Sequence, residues 1–175
     1  MQQAALEPRV ALQEFSGTEF RATLAAFATG VTVITTRGPD HAYGMTATAF
    51  SSVSLDPPLV LVCVISGTTG AETIERNGVF AVNILGAHQE PLSRYFASRD
   101  RPTGPEAFRE IPHYEGLTGS PVLHGTAGHV DCRLHAAHEA GDHVIFIGEV
   151  VALAVDPDVP PLLFHASGYR SLRED

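Results

Sequence analysis

The tightest constraint on the fold is the unbroken apolar run Leu59-Val60-Leu61-Val62-Cys63-Val64-Ile65, set directly behind the double proline Pro57-Pro58. Seven residues are too few to cross a bilayer, which takes roughly 20. Their β-branched content favours a strand buried on both faces, so the chain has to build a sheet around it. The residues before the prolines differ in kind. Thr46, Thr48, Ser51, Ser52 and Ser54 place five hydroxyls within nine residues, interleaved with alanines small enough for a ligand to approach the backbone. Such a polar ledge is either one wall of a binding site or a half-exposed strand with its polar residues turned to solvent.

The remaining pattern is also mostly strand. Val31 to Thr36 is almost entirely β-branched and is followed by the turn Arg37-Gly38-Pro39-Asp40, which predicts a hairpin with a strand starting near Ala42. Phe80 to Leu85 is another strand. Ala127 to His138 and His143 to Val155 flank Glu139-Ala140-Gly141-Asp142 as a long hairpin, and Leu162 to Phe164 is a short final strand. Helices are few. Ser16 or Thr18 caps one in which Phe20, Leu24 and Phe27 fall at helical spacing, with Gly30 as its stop, and this helix is expected to cover one side or end of the sheet. A second lies between Ser66-Gly67-Thr68-Thr69-Gly70 and Asn77-Gly78. A third runs from Gln89 to Phe96 with Pro91 in its first turn. Ser98 to Pro112, with three prolines, reads as a surface loop or lid containing a short helix around Phe108. The expectation is a mostly β, antiparallel barrel with a few short helices. Residues 1–15 form a flexible arm and residues 16–175 one domain.

Composition narrows the function. A net charge of -9 without a Lys/Arg stripe argues against a nucleic-acid binder that works by neutralising phosphates. Two cysteines cannot make a disulfide framework and fit a reducing cytoplasm. Neither a secretory signal nor a membrane-spanning run is evident. Cys132-x-x-His135-x-x-His138 invites a zinc reading, but on a strand Cys132 and His138 face one way and His135 the other, so the three converge only through a bulge; no metal is expected. The chain lacks G-x-S-x-G, G-x-G-x-x-G and G-x-x-x-x-G-K-[ST]. The Ser66 to Thr69 loop is either a helix cap or an anion site built on unpaired N–H groups. His143 is either a solvent-facing turn residue or a ligand contact. Taken together, ledge, loop and turn offer an apolar wall, polar donors and an anion site to a flat aromatic ligand with a phosphate tail.

FRATLAAFATGVTVITT, GMTATAFSSVSLDPPLVLVCV, FAVNIL, SPVL, GDHVIFIGEV and PLLFHASGYR follow one another from about Phe20 to Leu172. In this order they resemble the flavin reductase family with the FMN-binding split-barrel fold, the small component of two-component monooxygenases. The resemblance implies a split β-barrel homodimer that passes a hydride from NADH or NADPH to FMN or FAD. Reduced flavin then diffuses to a flavin-dependent monooxygenase partner. It implies that Thr46, Ala47 and Thr48 line the isoalloxazine or ribityl part, and that Ser51, Ser52 and Val53 add backbone and hydroxyl contacts. Ser66, Thr68 and Thr69 match the phosphate loop, which carries no arginine here. Phe80 and Asn83 match a motif beside the site, Tyr169 and Arg170 one near the flavin, and His143 the catalytic position near the nicotinamide. A flavin-binding protein without turnover, or a split-barrel oxidase acting on a small organic phosphate, are the alternatives the same fold allows.

Overall fold

The computed structural model describes residues 14–39 and 41–172, so the expected arm falls outside the described residues except for Glu14 and Phe15. Helix α1 (Gly17–Leu24) starts where a capping box forms: the Ser16 hydroxyl accepts from the Glu19 N–H, and the Glu19 carboxylate accepts from the Ser16 N–H. The short β1 (Thr29–Gly30) follows, then the hairpin of β2 (Thr32–Arg37) and β3 (Ala42–Ala47), then β4 (Phe50–Leu55) and β5 (Pro58–Ile65). Helix α2 (Thr69–Asn77) is capped by Thr68, whose hydroxyl accepts from the Ala71 N–H, and ends at Gly78 in the left-handed region, φ 65°. β6 (Val79–Ile84) leads through a 3₁₀ turn at Ala87–Gln89 to α3 (Glu90–Ala97). A second 3₁₀ turn, Gly104–Phe108, precedes the small hairpin of β7 (His113–Glu115) and β8 (Pro121–Leu123). The long hairpin β9 (Gly128–Ala140) and β10 (His143–Val155) and the short β11 (Leu163–His165) and β12 (Gly168–Arg170) complete the chain.

Seven strands form the main sheet in the order β3-β2-β6-β9-β10-β5-β4, each neighbouring pair antiparallel. Its two edge strands, β3 and β4, are consecutive in the chain and separated by Thr48 and Ala49 alone. Opposite edges of the sheet therefore meet at this junction, where the Cys63 N–H donates to the Ala49 carbonyl at 3.1 Å. Alternation along β2 assigns Val33 and Ile34 to different core clusters, one on each face. Ile34, Val62, Phe80, Val82 and Phe146 pack with Ile74 of α2. Val31, Val33 and Leu85 pack with Phe96 of α3, Phe108 and Leu123. Among the described residues no helix is long and apolar enough to cross a membrane.

Three expectations change. β5 is not buried on both faces: Val60, Val62 and Val64 are buried, whereas Leu59, Leu61 and Cys63 are half-buried and Ile65 is 54% exposed. Its second face borders clefts rather than core. Helix α1 buries no residue, and Phe20, Leu24 and Phe27 are 50%, 56% and 74% exposed, so it does not cover the sheet. The 98–112 segment is not simply surface, because Ala107 and Phe108 are fully buried and Phe108 packs against Phe96 with ring centroids 5.6 Å apart. On β9 the register slips at His135, yet Cys132 is buried while His135 and His138 are exposed, so the bulge does not bring the three together.

Candidate functional site

A cleft of about 490 Å³ opens where the sheet edges meet. β3 supplies one wall through Tyr43, Met45, Thr46 and Ala47, and the Thr48-Ala49 junction closes its end. Local packing explains why this wall holds its place. A Cβ on Gly44 would lie 2.5 Å from the Phe96 ring, so glycine is what lets α3 lie directly on β3. The Thr46 hydroxyl donates to the Ser93 carbonyl at 2.6 Å, and the Ser93 hydroxyl is 2.9 Å from the Tyr169 hydroxyl, tying the wall to α3 and β12. Cys63 and Val64 of β5 form the floor, with Thr68 at the start of α2 beside them.

His143 opens β10 directly opposite Ile65 of β5 and reaches the same cleft. Its Nδ1 lies 2.7 Å from the Asp142 carboxylate. That hydrogen bond is the main reason the exposed Asp142 carboxyl sits below the usual carboxylate range. From the other side come Arg99 and Arg101. Arg101 is held firmly: its guanidinium donates to the Ser98 and Gly44 carbonyls and lies 5.2 Å over the Tyr43 ring. Among the described residues no Asp or Glu lines the cleft, so in a chain of charge -9 this is a locally positive hollow.

The structure brings together Thr46, Ala47, Thr48, Thr68 and His143, which are five of the residues singled out by sequence. Ser51 instead lines a second cleft with Thr48. Ser52 and Val53 are exposed on β4 and border neither cleft; the pairing slips between Ser52 and Ser54, leaving Val53 as a bulge. Ser66 on the loop and Thr69 at the first position of α2 are exposed, outside the lining. Asn83 is a correction. Its side chain is fully buried, donates to the Val33 carbonyl at 3.0 Å and the Thr35 hydroxyl at 3.1 Å, and accepts from the Leu123 N–H at 2.8 Å. Its capacity is spent on joining strands, leaving nothing for a ligand. The Tyr169 hydroxyl meets that of Ser93, and Tyr169 lines with Arg170 a separate hollow of about 200 Å³. Sequence reasoning missed Tyr43, Met45, Cys63, Arg99 and Arg101. The Arg99-x-Arg101 spacing is a usable signal in a segment that sequence alone reads as a surface loop or lid.

The second cleft, about 620 Å³, adjoins the first through Thr48 and Ala49. Leu24, Phe27, Phe50, Leu61 and Ile84 make it predominantly apolar, and among the described residues no charged side chain lines it.

With this geometry in place, comparison with known proteins is informative. The chain matches the flavin reductase like domain over residues 24–173. It is 37% identical over 166 residues to the reductase subunit of a flavin-dependent monooxygenase from Rhodococcus jostii (strain RHA1), covering 95% of this chain and 83% of that one. An NADH-dependent FAD reductase of Streptomyces globisporus is 38% identical over 158 residues, with 90% and 86% covered. Among solved structures, the NADH:FAD oxidoreductase of Streptomyces globisporus C-1027 superposes with a TM-score of 0.86 at 36% identity, covering 95% of this chain and all of that one. The flavin reductase component of a bacterial two-component tryptophan halogenase gives a TM-score of 0.86 at 35% identity, covering 91% and 100%. The chain, a mostly antiparallel sheet with three helices, belongs to the flavin reductase like domain family.

Proposed function

We propose that this protein is an NAD(P)H-dependent flavin reductase whose polar cleft takes FMN or FAD. The observation that carries this reading is the cleft's donor set: small residues along β3, an apolar floor on β5, and a positively charged mouth. These fit a flat ring system with a phosphate tail, and 490 Å³ lies within the range of small-molecule sites. The flavin, when bound, accepts a hydride from the nicotinamide and carries it to a separate monooxygenase. The protein's own part is positional. Ala47 and Ala49 leave room for close approach, while the Thr46 link to Ser93 keeps the wall rigid. His143, oriented by Asp142, stands at the open side, where it orients the nicotinamide. NADH is the favoured donor because the relatives' names specify it.

Two broader features belong to the same reading. Consecutive strands at opposite sheet edges require the sheet to roll up, which supports a split β-barrel within a single domain spanning 16–175. The exposed Leu24 and Phe27 at the apolar cleft support a homodimer. Two free cysteines fit a cytoplasmic location.

Anaerobic mixing of the protein and NADH with excess FMN, FAD or riboflavin tests the assignment. Catalytic loss of flavin colour is expected. Flavin binding without NADH oxidation would make the protein a binder, and neither would remove the assignment altogether.

A further inference from the structure

The positive mouth of the polar cleft is unusual for this chain. The sequence holds 20 acidic residues against 11 Lys and Arg, yet among the described residues the cleft lining contains two arginines, one histidine and no carboxylate. Arg37, Arg94 and Arg109 each have a carboxylate partner. Among the described residues Arg99 and Arg101, like Arg21, Arg76, Arg133 and Arg170, have none within 4.0 Å; of these six only Arg99 and Arg101 line the polar cleft, although Asp100 stands between them. An arginine kept clear of carboxylates in an acidic protein, facing a hollow, is poised for an anion from outside.

The two arginines are also differently prepared. Arg101 is already anchored on the Gly44 and Ser98 carbonyls and stacked on Tyr43, so its charge is fixed over the β3 wall. The Arg99 side chain makes no hydrogen bond among the described residues and is exposed at the rim. In the Ser66 to Thr69 loop the one lining hydroxyl, that of Thr68, is already engaged. The Thr68 hydroxyl donates to the Ile65 carbonyl and accepts from the Ala71 N–H, while Ser66 and Thr69 lie off the lining.

From this arrangement we infer that Arg99 and Arg101 read the ribityl-linked phosphate of the flavin, so that the protein selects FMN and FAD over unphosphorylated riboflavin. The inference rests on the polar cleft being the flavin site. It moves the phosphate end from the loop after β5 to the segment after α3, with Arg101 as the fixed contact and Arg99 as the one that closes over the ligand. The start of α2 adds a smaller favourable field from the same side.

Equilibrium titration by flavin fluorescence, with FMN, FAD and riboflavin against wild type, Arg99→Ala and Arg101→Gln, tests it. Wild type should bind FMN at least about tenfold tighter than riboflavin, the usual worth of one charge-assisted contact. Arg99→Ala, which removes no internal hydrogen bond, should close most of that gap, and added salt should weaken FMN more than riboflavin. An unchanged gap in Arg99→Ala, or equal weakening of all three flavins, overturns the inference while leaving the flavin site standing. Failure of wild type to bind any flavin overturns the reading of the cleft on which the inference depends.

Discussion

The two clefts share the Thr48-Ala49 junction and differ in almost everything else. The polar one is walled by β3 and bordered by His143, Arg99 and Arg101. The apolar one is lined by Leu24, Phe27 and Leu61 and, among the described residues, by no charged side chain. Both clefts border the same face of β5, where Cys63 lies at the first and Leu61, two residues earlier, at the second. The chemical difference indicates two kinds of occupant. A hollow with cations, donors and a flat wall suits a small anionic ligand, whereas an uncharged hollow rimmed by exposed phenylalanine and leucine suits a protein surface.

Substitution at the shared junction is the most drastic way to break the distinction. Ala49 is exposed and contributes its carbonyl, not its methyl, to the Cys63 hydrogen bond. Ala49→Phe should therefore intrude on the closed end of the polar cleft and weaken flavin binding about 100-fold or more, while costing little stability, as exposed substitutions usually do. A melting temperature that collapses together with binding would show that the junction is core rather than ligand wall.

A second substitution separates holding from positioning inside the polar cleft. His143→Ala should lower the NADH-dependent rate about 30-fold through misplacement of the reacting partner. Flavin affinity should change by less than about threefold, since the histidine stands at the open side. Steady-state kinetics set beside a flavin titration give both numbers. Unchanged turnover with lost affinity would reassign His143 to flavin binding.

The smallest expected effect lies in the apolar cleft. Phe27 is 74% exposed, so Phe27→Asp should leave the fold intact. It should raise the dissociation constant of the proposed homodimer about tenfold or more, as loss of an aromatic anchor does. Sedimentation at several concentrations reads this directly. A monomeric wild type, or a variant that dimerises as before, would free this cleft for some other ligand.

Much of the fold was legible in the sequence because its signals are local. β-branched runs, Asp56-Pro57-Pro58 and the Gly141-Asp142 turn mark strand ends through short-range sterics, and Thr68 and Gly78 mark the ends of α2. The site was less legible because it depends on which distant segments meet. Nothing near Gly44 announces that Arg101, 57 residues later, donates to its carbonyl. Asn83 was misjudged for a related reason: a polar residue in a strand looks free until the neighbouring strands that use up its amide are known. The apolar residues of α1 formed a recognisable helical face, but spacing alone does not say whether such a face meets its own sheet or something else.

The most direct test of the central claim uses the two cysteines as built-in reporters. Cys63 lies on the floor of the polar cleft, whereas Cys132 is fully buried, with burial pushing its thiol up to about 12. A small alkylating reagent should therefore label Cys63 and spare Cys132. If the polar cleft holds the flavin, saturating FMN should slow Cys63 labelling about tenfold or more, by keeping the reagent from the only reactive thiol. Cys63 that reacts at the same rate with and without bound FMN would place the flavin elsewhere and contradict the account.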